Sequence, residues 1–282
     1  MIDTVTLVSL LMIILIGLPH GALDGAVSIC LDIKNDFFSK FYFFLIYIGL
    51  AIFVTILWIN FPQISLILFL LISIFHFGLG DFNWSDKKEK YILGFINGGL
   101  IIFGISITSP TQVDIIFKSL SFETNFVWLF INIGSLILLC FLPWLFINIG
   151  SLILLCFLPW LFINLEKLST IDILRLFLII LSVLFLHPLL AFAIYFCFIH
   201  TINHFMRIIP SLKKRISRSK IIKLFSLFTF TSWAIGIIIF NLFRDSYGDL
   251  ELIYRIIFIG LAALTVPHMI LIDFYFRPKE KI

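Results

Sequence analysis

The residues of this chain that could do chemistry are six histidines and three aspartates set within otherwise apolar stretches. Asp24 follows His20 by four residues, Asp81 follows His76 by five, and Asp273 follows His268 by five; His200 and His204 stand four apart in His200-Thr-Ile-Asn-His204. Two imidazoles at i and i+4 leave a helix on one face and can hold one ion between them. With His20 and His76 they make four neutral nitrogen donors, a set that suits Fe(II), Zn(II) or copper; on iron, open positions would admit O2. Asp24 shares a face with His20 and can reach the same cavity or accept a ring proton from an imidazole. Asp81 and Asp273 are less well aligned and also read as solvated helix-end charges, while His268 can line the cavity or support it. HxxxH also occurs in haem sites, and intramembrane His and Asp also build relays. A bis-His haem electron carrier and a cation or proton transporter therefore stay open on these residues alone.

The elements that must position these groups are membrane helices. The 282 residues are 61% hydrophobic and only 13% charged, with a mean hydropathy of +1.16, outside the range of a soluble domain. The chain reads as all-α, a polytopic transmembrane bundle filling residues 1–282 as a single integral membrane domain. Apolar runs fall near 5–31, 40–60, 63–80, 91–108, 126–165, 171–187, 188–209, 221–243 and 252–275, about nine crossings when the fifth counts once. The start lacks a basic segment and a small-residue cleavage site, so it is expected to remain as the first helix. Cys30, Cys140, Cys156 and Cys197 have no paired spacing and suggest neither a disulfide framework nor a Cys metal site. The net charge of +4 fits cytoplasmic loops rather than nucleic acid.

Residues 128–143 recur letter for letter at 144–159, a tandem duplication of a 16-residue apolar segment that carries no His, carboxylate or base and reads as an inert insertion. Whether this run crosses once or twice sets the side of every later loop. With one crossing, 17 of the 20 Lys and Arg fall on one side and 3 on the other; with two, the division is 7 against 13. The positive-inside rule selects the single crossing, with the N-terminus outside and the C-terminus cytoplasmic. On that topology His20, His76, His200, His204 and His268 all lie in the cytoplasmic half of the bilayer, mostly ~20 to 24 Å from the outer boundary, whereas His187 sits at the outer end. Pro19 and Pro267 each precede one of these histidines and are positioned to kink its helix.

Four segments then become recognisable: Gly17-Leu-Pro-His-Gly-Ala-Leu-Asp24, Phe75-His-Phe-Gly-Leu-Gly-Asp81, Tyr195-Phe-Cys-Phe-Ile-His-Thr-Ile-Asn-His204 and Val266-Pro-His-Met-Ile-Leu-Ile-Asp273. In this order, from first helix to last, they resemble the Brp/Blh family of β-carotene 15,15′-dioxygenases. The resemblance implies Fe(2+) held by His20, His76, His200 and His204; around them Asp24 and Asp81 would orient imidazoles through their free N–H groups, and His268 and Asp273 would line or support the cavity. It further implies O2-dependent cleavage of β-carotene to retinal in the cell (inner) membrane, supplying a microbial rhodopsin. Thr201 and Asn203 depart from the Ser and Arg usual at those family positions, and the duplicated run is not a family feature.

Overall fold

The structure, a computed structural model, describes residues 3–30, 37–81, 90–148 and 170–276. Every described element is helical: α1 (Thr4–Cys30), α2 (Phe37–Asn60), α3 (Pro62–Gly80), α4 (Lys90–Thr108), α5 (Pro110–Ser121), α6 (Asn125–Asn148), α7 (Thr170–Phe185), α8 (Pro188–Lys213), α9 (Arg218–Phe243) and α10, which runs from Asp249–Met269 into Ile270–Phe276. Six of them are long and apolar enough to cross a bilayer, and α4 with α5 makes a seventh if that bent pair is one span. Most of the second repeat copy lies outside the described residues, as do the basic residues near 82–89 and the tail from Arg277.

Local chemistry sets the helix ends. Proline occupies the first turn of α3, α5 and α8, where its missing N–H costs nothing. The Asp3 side chain accepts the Thr6 N–H at 2.9 Å to cap α1, and Asp249 and Glu251 sit in the first turn of α10, where the helix dipole favours negative charge. Between α4 and α5 the chain turns by 105°. No apolar run marks α5; it exists because Pro110 restarts a helix whose Val113, Ile116, Phe117 and Leu120 recur at helical spacing and are buried. The Trp58 indole N–H donates to the Leu120 carbonyl at 3.0 Å and ties α5 across to α2.

The core divides unevenly among helices. In α1, α3, α8 and α10 between 44% and 56% of the membrane-length window is buried, against 6% in α2 and 11% in α9. Helices α3 and α4 approach most closely: a Cβ on Gly78 would overlap the Gly94 carbonyl, and one on Gly98 the Ile74 carbonyl. Without a hydrophobic force between helices in lipid, such small-residue contacts supply the packing. They hold α3, and with it His76, in register.

Three of the four well-buried helices are irregular where their histidines sit. In α1 a π-helical stretch, Ile13–Gly17, passes into a 3₁₀ stretch, Leu18–Leu23, containing Pro19 and His20. In α8 the π-helical Tyr195–His200 ends on a histidine, and in α10 the Pro267-His268 pair is followed by the π-helical Ile270–Phe276. Carbonyls around these turns find partners elsewhere. Thr201 Oγ1 donates to the Phe196 carbonyl at 2.8 Å, Trp233 Nε1 to Ile14 at 3.0 Å and Cys197 Sγ to Met12 at 3.3 Å. Such turns rotate the side chains beyond them relative to an unbroken helix and recur at functional sites.

Candidate metal centre

Three irregular helices and the regular α3 bring five imidazoles into one cluster. His20, His76, His200, His204 and His268 are all buried, at 7%, 2%, 2%, 6% and 2% exposure. His20 lies with its ring centroid 5.3 Å from His200, 5.4 Å from His204 and 5.0 Å from His268. His76 is 5.0 Å from His200 and 5.3 Å from His268, and His204 is 4.9 Å from His268. Donor atoms of His20, His76 and His200 all come within 4.8 Å of one another, close enough to share an ion. His187, by contrast, precedes Pro188 at the far end of α8 and belongs to no part of this cluster.

Four of the five rings, those of His20, His76, His200 and His268, are held from behind. The Nδ1–H of His268 donates to both Asp24 oxygens, at 2.8 and 3.0 Å; that of His200 donates to Asp81 at 2.9 Å and that of His76 to Asp273 at 3.2 Å. His20 gives its Nδ1–H to the Gly17 carbonyl at 2.6 Å. These contacts fix the proton on Nδ1 and turn the Nε2 lone pair inward. The Nε2 atoms of His76, His200, His204 and His268 are buried with no hydrogen-bond partner. Native interiors rarely strand one polar atom, and four pointing into one cluster fit a bound cation. The donor chemistry agrees: neutral imidazoles backed by carboxylates are the usual way to raise the basicity of metal-ligating histidines.

The carboxylates act across helices. Asp24 on α1 reaches His268 on α10, Asp273 on α10 reaches His76 on α3, and Asp81 at the end of α3 reaches His200 on α8. None holds the histidine that precedes it in its own segment. The result is a chain of clasps, α1 to α10 to α3 to α8, that makes the position of each ring depend on a neighbouring helix.

Sequence reasoning missed two phenols that complete the clasps. The Tyr47 hydroxyl donates to Asp24 at 2.7 Å, and the Tyr195 hydroxyl donates to Asp81. Tyr195 lay inside a segment already singled out, five residues before His200; Tyr47 had no local signal, since α2 is nearly all apolar. The departures Thr201 and Asn203 also have places. Thr201 serves the π-turn carbonyl described above, and the Asn203 amide reaches the Asp81 backbone carbonyl at 3.5 Å. Phe77, 4.8 Å from the His200 ring, and Phe196, 5.1 Å from His20, wall the cluster with aromatic surface.

Comparison with known proteins agrees with the four segments. Residues 11–276 match the family described as Beta-carotene 15,15'-dioxygenase. A curated protein of that name from uncultured marine bacterium 66A03 is 35% identical over 283 residues, covering 96% of this chain and 94% of its own length. No solved structure matches the chain. With a match extending from the first helix to the last, this chain belongs to the β-carotene 15,15′-dioxygenase family.

Proposed function

We propose that the chain is a membrane-embedded, non-haem Fe(II) dioxygenase that uses O2 to cleave the central 15,15′ double bond of β-carotene, giving two molecules of all-trans-retinal. The observation that carries this reading is the buried histidine cluster itself: donor atoms of His20, His76 and His200 lie within 4.8 Å of one another, and the Nε2 atoms of His76, His200 and His204 are buried without a hydrogen-bond partner. His20, His76, His200 and His204 would hold the iron. Bound there, Fe(II) supplies the electrons that activate O2 toward an alkene.

The chain's own residues do the rest. Asp81 and Asp273 keep the protons of His200 and His76 on Nδ1, so each Nε2 stays a donor of electrons. Asp24 does the same for His268, which lines the cavity beside the four ligands. Phe77 and Phe196 keep water from the cluster and offer aromatic faces to a polyene. In the bilayer we place about nine crossings, N-terminus outside and C-terminus cytoplasmic, in the cell's inner membrane. Retinal released into lipid would be available to a microbial rhodopsin.

A cation or proton relay would need polar groups continuing away from the cluster. On the α5 side they stop: the cavity beyond Ser73 is lined by Leu66, Leu70, Ile101 and Ile105, with Ser106 as its other polar side chain among the described residues. The function is tested with protein purified in detergent, loaded with Fe(II) and given β-carotene. Retinal should appear by chromatography, and His200→Ala should lose both the iron and the product. Undiminished retinal formation by His200→Ala overturns the ligand assignment. A haem absorption band in the purified protein would overturn the non-haem reading.

A further inference from the structure

Three cavities meet end to end at the histidines. The first, about 580 Å³, opens between α1, α2, α9 and α10 and is lined by His20, Phe43, Tyr47, Phe228, Leu264 and His268. The second, about 260 Å³, lies against His20, His76, Phe77 and Phe196 and shares His20, Leu261 and Thr265 with the first. The third, about 620 Å³, lies among α3, α4, α5, α8 and α10 and shares Phe69, Ser73 and Phe192 with the second. His20 and His76 therefore line the middle space, between the other two.

The third cavity asks for an occupant. Protein interiors rarely keep voids much larger than a water molecule, and a space lined by apolar side chains is suited to an apolar ligand. Its wall is built for one: the buried face of α5, made by Val113, Ile116, Phe117 and Leu120, lies across it after the 105° turn from α4. Ser106 turns its hydroxyl back to the Ile102 carbonyl at 2.7 Å, leaving little polarity toward the space. From His76 back along α3, Phe69 lies ~10 Å away and Leu66 ~15 Å at 1.5 Å per residue. About nine bonds separate the central carbon of β-carotene from each terminal ring, and at ~1.2 Å per bond of an extended chain they reach ~11 Å. A bond held beside His76 would thus put a terminal ring at the level of Phe69 and Leu66.

We infer that the three cavities are one seat for a long polyene, with one terminal ring under α5, the bond to be cut beside His20 and His76, and the other half in the cavity bounded by α2 and α9. This rests on the proposed function for the identity of the polyene. The seat is asymmetric although the substrate is symmetric. The arm under α5 is lined almost wholly by apolar side chains, while the other arm, bounded in part by α2 and α9, also carries Asp24, Tyr47, Ser232 and Thr265.

Filling the α5 arm tests the assignment. Ser106→Phe places a ring in that cavity, far from the histidines. Two polyenes are offered: β-carotene, and β-apo-8′-carotenal, which lacks one terminal ring. For β-carotene, retinal formation should fall about ten-fold or more, and for the shortened polyene less than about three-fold. Iron content should match the unsubstituted protein. Equal losses for the two substrates, or no loss for either, would overturn the seat; the latter would leave the α5 arm as a place for a lipid acyl chain. If the unsubstituted protein cleaves neither polyene, the proposed reaction has failed, and the seat is then judged by binding alone, read from the carotenoid absorption band. In that case Ser106→Phe must still weaken β-carotene binding more than binding of the shortened polyene. If Ser106→Phe does not fold, Val113→Phe on α5 fills the same cavity from its other side.

Discussion

Helices α3 and α2 are neighbours of similar length and similar apolar composition, yet one holds the site and the other surrounds it. Half of the membrane-length window of α3 is buried, against 6% of that of α2. The difference comes from a few residues. Helix α3 carries Gly78, which lets α4 approach to backbone contact, and His76 with Asp81 at its end, which bind α8 and α10. Helix α2 contributes Tyr47 to Asp24 and Trp58 to α5 and otherwise presents large apolar side chains such as Ile46, Phe53 and Ile59 outward. Apolarity therefore places a helix in the membrane; its position within the bundle is decided by small residues and by polar groups that need partners.

The clasps should show the largest difference. Asp81→Ala removes the acceptor for His200 Nδ1–H and the partner of Tyr195, freeing the ring to rotate and exchange its proton between nitrogens. We expect iron affinity and retinal formation each to fall about 10- to 100-fold, measured by metal analysis after dialysis and by chromatography. A merely structural role would lower thermal stability but leave iron per folded protein intact, and Asp81→Glu should restore part of the affinity. Full iron retention in folded Asp81→Ala would mean that the cross-helix clasp does not tune the donor.

The same substitution placed in each helix environment should have opposite signs. In Gly98→Ala on α4 the added Cβ meets the Ile74 carbonyl, and overpacking there should destabilise the fold by about 1–3 kcal/mol. On α2, Gly49 has no neighbour within 4 Å of an added Cβ, so Gly49→Ala should be neutral or stabilise by up to about 1 kcal/mol through helix propensity. Melting temperatures in one detergent decide it. Equal tolerance at the two glycines would remove close packing as the reason α3 and α4 are central.

Much of this arrangement was legible in the residues alone. His20, His76, His200, His204 and His268 were grouped by depth along their helices, and their rings cluster in the structure. Pro19 and Pro267 pointed to irregular backbone beside two of them, where a 3₁₀ and a π-helical stretch occur. The partners of the carboxylates were not legible. Spacing along one helix put Asp24 on the face of His20, and both line one cavity, but it did not say that the ring Asp24 holds would be His268 on α10. Helix rotation is set by tertiary packing, which a single-helix period does not contain. Helix α5 escaped notice because its apolar positions are interleaved with Gln112, Asp114 and Lys118, and only one face is buried.

Tyr47 sharpens the comparison from the side of α2, which its hydroxyl ties to Asp24. Tyr47→Phe removes one hydrogen bond to a carboxylate that His268 still holds through both oxygens, so the cost should be about 0.5–1.5 kcal/mol. It should appear as a drop of up to about ten-fold in iron affinity or turnover, below that of Asp81→Ala. A larger loss would make α2 part of the site rather than its surround.

The smallest effect belongs to the outward faces. Leu242 near the end of α9 is 70% exposed, and its side chain has lipid or detergent on most sides whether or not the bundle is correctly packed. Leu242→Ala should therefore leave stability within about 0.5 kcal/mol, with iron content and retinal formation unchanged, because no helix contact or clasp depends on it. Loss of iron in that variant would show that α9 carries strain to Phe228 and the first cavity along its length. The surround would then be a support for the site, and burial would no longer separate the two kinds of helix.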